Sequence, residues 1–275
     1  MRGLTEFQEG LRERFVVLDA AERARLIREL DRLQALGINN LRIMAAAEEG
    51  PLKNAITPGF TRPDGSANAA LLAGLDFALA QIAKRGMTAV LVLSNFWEWS
   101  GGLQTLLYRT TGTYIDMGDP AHPWPAFADA TAAVYANRDA VALYRKHIRS
   151  LLARRNSVNG VAYAQDPAIM SWQLANEPRP GGSKAAIAAN REAYLRWIAE
   201  TAALIRAGAP RHLVSLGQEG TQATNGDAGL VADAHARVDY VTAHIWPLNW
   251  GWVAGSDLAG TWPEGRRKVE AYLAA

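Results

Sequence analysis

Thr88-Ala-Val-Leu-Val-Leu93 is apolar on both faces and gives way at once to Ser94-Asn-Phe-Trp-Glu98. An unbroken apolar run of this kind is the pattern of a parallel strand covered on both sides. Just before it, Ala69 to Arg85 carries apolar residues at helical spacing and is stopped by Gly86. Further back, Asn40-Leu-Arg-Ile-Met44 is a second short apolar run. It follows an amphipathic helix over Ala20 to Leu36, in which Leu26, Ile27, Leu30, Leu33 and Leu36 recur at helical spacing and Gly37 closes the pattern. Forward of Thr88, the chain reads as a largely helical Ala126 to Arg154, a strand over Ala168 to Leu174 and a helix over Lys184 to Ala207. Then come a strand over His212 to Leu216, a weak helix over Val231 to Ala236, a strand over Val238 to Ile245 and a helical Pro263 to Ala275.

Helix and strand alternate throughout, which argues for a parallel α/β architecture. Polar and aromatic residues gather just after the strands: Ser94-Asn-Phe-Trp-Glu98, Asn176-Glu177, Gln218-Glu219 and His244-Ile-Trp246. In a (β/α)8 barrel of the TIM type those strand ends form the active-site face. A doubly wound sheet fits the alternation too, but no Gly-rich phosphate loop follows any strand. Five strands are convincing, whereas a closed barrel needs eight. The expectation is a single domain over residues 1–275, forming a barrel whose first strand and last two strands are not evident; a weak strand over Phe15–Leu18 is the alternative.

Composition removes several other classes. The net charge of +2 is too small to suggest a nucleic-acid or membrane partner, and the absence of cysteine excludes disulfides and thiolate chemistry. Met1 to Phe15 is charged and lacks the apolar core of a signal peptide. No His-Glu-x-x-His cluster argues for a metal, and no Gly-x-Ser-x-Gly elbow argues for a serine nucleophile. Nine tryptophans, several beside Asn, Glu or His, suit a sugar-binding cleft as well as a core.

The strongest chemical signal is Ser171-Trp-Gln-Leu-Ala-Asn-Glu-Pro-Arg179. An Asn-Glu pair closing an apolar strand sets a carboxyl at the mouth of a barrel. A glycosidase needs such a carboxyl, kept protonated, for its leaving oxygen, and a neighbouring amide to hold the sugar 2-hydroxyl.

With this motif, Gly37-Ile-Asn-Asn-Leu-Arg-Ile-Met44, Asn95-Phe-Trp-Glu-Trp-Ser-Gly-Gly102, Leu213-Val-Ser-Leu-Gly-Gln-Glu-Gly220 and Thr242-Ala-His-Ile-Trp-Pro-Leu-Asn-Trp-Gly-Trp252 together resemble the endo-β-1,4-mannanases of glycoside hydrolase family 5, retaining enzymes of clan A, from about Ala20 to Trp252. The resemblance implies hydrolysis of internal β-1,4-mannosidic bonds, with no cofactor, a mannan or manno-oligosaccharide as partner, a monomer and secretion. It implies that Glu177 is the acid/base, that Asn176 binds the 2-hydroxyl and that Arg42 steadies the nucleophile. Arg179 would contact sugar on the leaving-group side, Trp97 would stack on a pyranose, and His244 and Trp246 would stand after the sixth strand. Trp99, Trp250 and Trp252 suit either stacking or core packing, and the other histidines read as structural.

The family's nucleophile Glu ends a seventh strand, and no such segment follows Trp252. Glu264 and Glu270 lie in a polar helical stretch, and Glu219 matches a different family position. The first strand is likewise not recognised before Ala20, so the chain reads as truncated at both ends. Two other readings remain open: a non-catalytic mannan-binding remnant, and a related β-glucanase of the same clan.

Overall fold

The computed structural model describes residues 19–274. The Phe15–Leu18 strand and the reading of Met1 to Phe15 therefore lie outside the described residues.

Helix α1 (Ala20–Ala35) leads into β1 (Asn40–Met44), α2 (Ala69–Lys84) into β2 (Thr88–Val92), and α3 (Gly102–Thr111), α4 (Ala126–Ala132) and α5 (Arg138–Leu152) into β3 (Ile169–Gln173). After these come α6 (Lys184–Gly208), β4 (Leu213–Ser215), α7 (Ala228–His235) and α8 (Leu258–Ala274). Short polar side chains start the helices. Asp19, Asn68, Asn137, Ser183 and Asp227 each accept a hydrogen bond from a first-turn N–H of α1, α2, α5, α6 and α7, worth about 1 kcal/mol apiece.

The strands form one four-stranded parallel sheet in sequence order, β1-β2-β3-β4. The period of two then sorts the side chains by face. Ile43, Leu91, Trp172 and Val214 fall in one row across the register. Leu91, Trp172 and Val214 are wholly buried with helix residues such as Leu79, Ile148 and Ile198. Met44, Val92, Gln173 and Ser215 form a row on the opposite face. That face also carries Arg42 and is open enough to leave Arg42 and Leu213 exposed. One face packed against helices and the other, mixed polar and apolar, turned inward is how a (β/α) barrel wall is built.

Two expectations change. Val238–Ile245 is not a strand: it touches β4 through one bridge, Ser215 to Tyr240. Side chains take the place of its carbonyls. The Val214 N–H donates to the Asp239 carboxylate (2.7 Å) and the Gly217 N–H to the Thr242 hydroxyl (3.1 Å), local bonds of the kind that compete with a ladder. The Ala126–Arg154 stretch is broken at Asn137, which ends a 3-10 turn over Ala133–Ala136 and caps α5. Helix α3 was not expected. Its start is hidden by the pair Gly101-Gly102, both at positive φ, where a Cβ on Gly101 would stand 1.8 Å from the Glu48 carbonyl oxygen.

Candidate active site

The open face converges on Glu177. Strand β3 ends at Gln173, and the chain continues inward to Glu177, whose φ of 52° lies in the left-handed region. A non-glycine residue there costs roughly 1–2 kcal/mol, and such strain collects at functional sites. Pro178 disfavours the ordinary helical alternative for the residue before it. The Glu177 N–H is held by the Gly217 carbonyl at 2.8 Å. Gly217 (φ 86°) has to be glycine, because a Cβ would sit 2.0 Å from the Ala175 oxygen.

Three donors meet the Glu177 carboxyl. Trp97 Nε1 donates to Oε2 at 2.6 Å, while His244 Nδ1 (2.8 Å) and Trp246 Nε1 (3.0 Å) both donate to Oε1. Burial pushes the carboxyl up, but the hydrogen bonds from His244, Trp246 and Trp97 outweigh it and hold it below the ordinary carboxylate value. The raised value that the sequence motif suggests is thus not found, because the donors outnumber what burial alone would remove.

Beside it runs a polar chain. Arg42 donates through Nε to Gln173 Oε1 (2.7 Å) and through NH2 to Asn176 Oδ1 (2.8 Å). Asn176 passes a hydrogen bond from its Nδ2 to Asn95 Oδ1 (2.9 Å). Gln173 is tied in turn to Ser215 (3.2 Å). Arg42 is thereby held along the inner face.

At the next strand end, Arg179 grips Glu219 through Nε (2.7 Å) and NH2 (2.6 Å), and both side chains are buried. Burial raises the Glu219 carboxyl to about 7; Arg179 opposes this, and the nearby Glu177 charge adds to it. The Arg179 guanidinium also lies over the rings of Trp97 (5.1 Å) and Trp124 (5.6 Å).

All seven residues singled out in the sequence therefore meet at one face: Arg42, Trp97, Asn176, Glu177, Arg179, His244 and Trp246. Trp97 differs in manner. Its ring is stacked on Phe127 at 6.2 Å and lies beneath the Arg179 guanidinium, and its indole N–H donates to Glu177. Trp124, 57% exposed, offers the more open aromatic face. Trp250 and Trp252 pack with Tyr272 of α8. His147, His212 and His235 are held by Ala45, Trp172 and Val231, in keeping with structural roles. Sequence reasoning missed Asn95, Gln173 and Trp124 as site residues. Asn95 stood in the quoted Asn-Phe-Trp segment, and its Nδ2 is buried without a partner, as a group awaiting a ligand would be.

A profile described as GH family 5 beta-mannosidase-like matches residues 16–275. The chain belongs to glycoside hydrolase family 5. Among the proteins this family 5 chain resembles is mannan endo-1,4-beta-mannosidase 4 of Oryza sativa subsp. japonica, 25% identical over 280 residues, which cover 94% of this chain and 55% of that one. Mannan endo-1,4-beta-mannosidase 7 of Arabidopsis thaliana is 28% identical over 255 residues, covering 86% and 53%. The family 5 mannosidase of Rhizomucor miehei superposes with a TM-score of 0.82 at 33% identity, covering 95% of this chain and 61% of that one. A glutamate-to-alanine variant of that mannosidase, in complex with mannosyl-fructose, gives a TM-score of 0.80 at 33% identity, covering 92% and 59%. The chain spans about half the length of the curated relatives it matches.

Proposed function

We propose that this family 5 chain binds β-1,4-linked mannan along the open face of its sheet, and that Glu177 is the acid/base of a retaining, internally acting hydrolysis. The observation that carries this reading is the Glu177 carboxyl itself: buried, on a strained backbone, met by three side-chain donors and flanked by the Arg42–Asn176 pair. Relatives named as mannan endo-1,4-beta-mannosidases and a related mannosidase bound to mannosyl-fructose support the choice of sugar.

In a retaining cycle the acid/base first protonates the leaving oxygen, then takes a proton from water, while a second carboxylate about 5–5.5 Å away bonds to the anomeric carbon. The ionised Glu177 of the free site suits the second task directly. For the first, an incoming sugar has to displace a donor. His244 and Trp246, on the exposed segment after β4, are the ones so placed, and losing either removes one of the bonds that oppose burial and so lifts the carboxyl. Asn176, backed by Arg42 and Asn95, receives the 2-hydroxyl, and Trp124 supplies a stacking face.

Glu219, Glu264 and Glu270 are poor candidates for the second carboxylate on this reading. Glu264 and Glu270 are exposed and paired with Arg267 and Arg266 on their own helix, and Glu219 is clamped by Arg179. That clamp favours a second reading, in which these 275 residues bind mannan without cleaving it.

Incubation of the chain with β-1,4-mannohexaose, followed by chromatography and proton NMR of the fresh anomers, tests both readings. Mid-chain cleavage giving β-products supports the retaining internal hydrolase, and single mannose units from one end would make the action exo. Binding by calorimetry without any product supports the remnant, and neither binding nor product removes mannan as the substrate.

A further inference from the structure

The turn after β2 serves two neighbours. Trp97 gives its indole N–H to Glu177, and the next residue, Glu98, gives its carboxyl to the connection between α3 and α4. That connection, residues 112–125, contains no helix or strand. Ordering so long an irregular segment costs backbone entropy, and connections beyond about 12 residues are uncommon in compact domains. This one is tied down near its middle. Glu98 Oε2 accepts from the Met117 N–H at 2.6 Å, Asp116 Oδ1 accepts from the Lys53 N–H at 3.1 Å, and Gln104 Nε2 donates to the Ile115 carbonyl at 3.3 Å. The Glu98 bond is the strongest of the three, being short, charge-assisted and made by a wholly buried side chain. Its other oxygen accepts from Asn54 Nδ2 at 2.6 Å, so both carboxylate oxygens are engaged. The Lys53–Asp116 ion pair, at 3.6 Å on an exposed lysine, adds little.

Beyond this tie the connection delivers Trp124. Turn bonds carry the constraint forward: the Asp119 N–H donates to the Asp116 carbonyl, the His122 N–H to the Asp119 carbonyl, and the Ala126 N–H to the Pro123 carbonyl. The Trp124 ring then lies 6.3 Å from Trp97, and the Arg179 guanidinium stands over both rings. Gly182 lies at its edge, where a Cβ would meet Trp124 Cζ2 at 3.2 Å. Trp97 is covered by Phe127 and Arg179, whereas Trp124 keeps more than half of its surface open. An open indole beside the Glu177 donors is a flat apolar surface of the kind on which a pyranose ring stacks. Such a surface contributes most when it is ordered before the ligand arrives, because ordering it on binding subtracts from affinity.

We infer that Glu98 is a positioning residue: by holding Met117 it pre-orders the 112–125 connection, so that Trp124 stands as a fixed sugar-stacking wall beside Trp97 and Glu177. The inference rests on the mannan reading of the site. It adds to that reading by assigning part of the affinity for the sugar chain to a buried carboxylate that touches no sugar.

The test is calorimetric titration of the full chain with a thio-linked β-1,4-mannohexaose, which resists cleavage. The variants are Trp124→Ala, Glu98→Ala, Glu98→Asp, Glu98→Gln, and Trp124→Ala combined with Glu98→Ala. Trp124→Ala should weaken binding about tenfold, roughly the worth of one aromatic contact. Glu98→Ala should weaken it severalfold, and so should Glu98→Asp, whose shorter arm does not reach Met117 and which keeps a buried acid should alanine fail to fold. Glu98→Gln should restore most of the affinity. Its amide oxygen still accepts from Met117, while Asn54 turns its own amide over to accept from the new NH2. The combined variant should bind no worse than Trp124→Ala alone, as two residues acting through one contact do. A purely structural Glu98 would lower the melting temperature and add its loss to that of Trp124→Ala. Unaltered binding in Glu98→Ala and Glu98→Asp, or additive losses in the combined variant, would overturn the role of Glu98 while the mannan reading stands. No binding of the probe by the wild type would overturn the mannan reading and this inference with it.

Discussion

Glu177 and Glu219 leave the sheet at neighbouring strand ends and are buried to nearly the same degree, 6% and 2% exposed, yet their carboxyls are driven in opposite directions. Glu177 is met by three neutral or weakly basic donors and falls below the ordinary value. Glu219 is held by a full guanidinium and rises to about 7. Burial is common to both, so burial does not decide the outcome. What differs is the number of hydrogen bonds reaching the oxygens from separate elements, together with the like charge that the raised group feels from its neighbour. Glu177 draws its donors from the turn after β2 and the segment after β4. Glu219 has both of its contacts from one side chain, placed on the same oxygen.

Substitution breaks the comparison most sharply. If the chain acts as proposed, Glu177→Gln keeps the shape but cannot give or take the proton, and mannan cleavage should fall about 10²–10⁴-fold. Glu219→Gln should lose far less; initial rates of reducing-end release on linear β-1,4-mannan measure both. Arg179→Met comes next. It strands Glu219 as an unpaired buried acid and should cost about 3–5 kcal/mol of unfolding free energy at pH 8, shrinking below pH 6, where Glu219 takes up a proton; urea denaturation at the two pH values separates the cases.

The stability of the whole domain should carry the same signature. Glu48, buried beneath the Gly102 N–H, is raised to about 7 by burial, like Glu219. Groups so raised bind protons more tightly in the folded state. Their contribution is fully present below the ordinary value of 4.5 and is lost as pH rises through 7, about 3 kcal/mol for each. Glu48→Gln should therefore gain on the wild type between pH 5 and pH 8. Glu177 and Asp76, both lowered, behave oppositely: their contribution is present above the ordinary carboxylate range and is lost on acidification. The smallest expected effect is Trp97→Phe, which removes one donor and should lift the Glu177 titration midpoint, read by carboxyl NMR.

The parallel sheet was legible because Thr88–Val92 is apolar on both faces, a pattern that needs no partner to be recognised, and because Ile169–Gln173 is a second short run set between helices. The site was legible where chemistry and strand end coincide in sequence, as at Asn176-Glu177-Pro178. Pairings that span the chain were not. Arg179 meets Glu219 across 40 positions, and Trp97 meets Glu177 across 80; neither partner carries a local mark of the other. Val238–Ile245 misled because apolar alternation records burial and not ladder bonding. Asp239 and Thr242 answer the β4 amides with side chains, and Val241 ends 69% exposed. Trp124 sits outside any periodic element, in the turn before α4, so no pattern drew attention to it.

The most direct measurement is a carbon-13 carboxyl NMR titration of the glutamates from pH 2.5 to 9, with the two resonances assigned through Glu177→Gln and Glu219→Gln. Glu177 should titrate below the ordinary carboxylate value and Glu219 near 7. Two midpoints that coincide, or a reversal of their order, would contradict the claim that donors rather than burial set the protonation of this site.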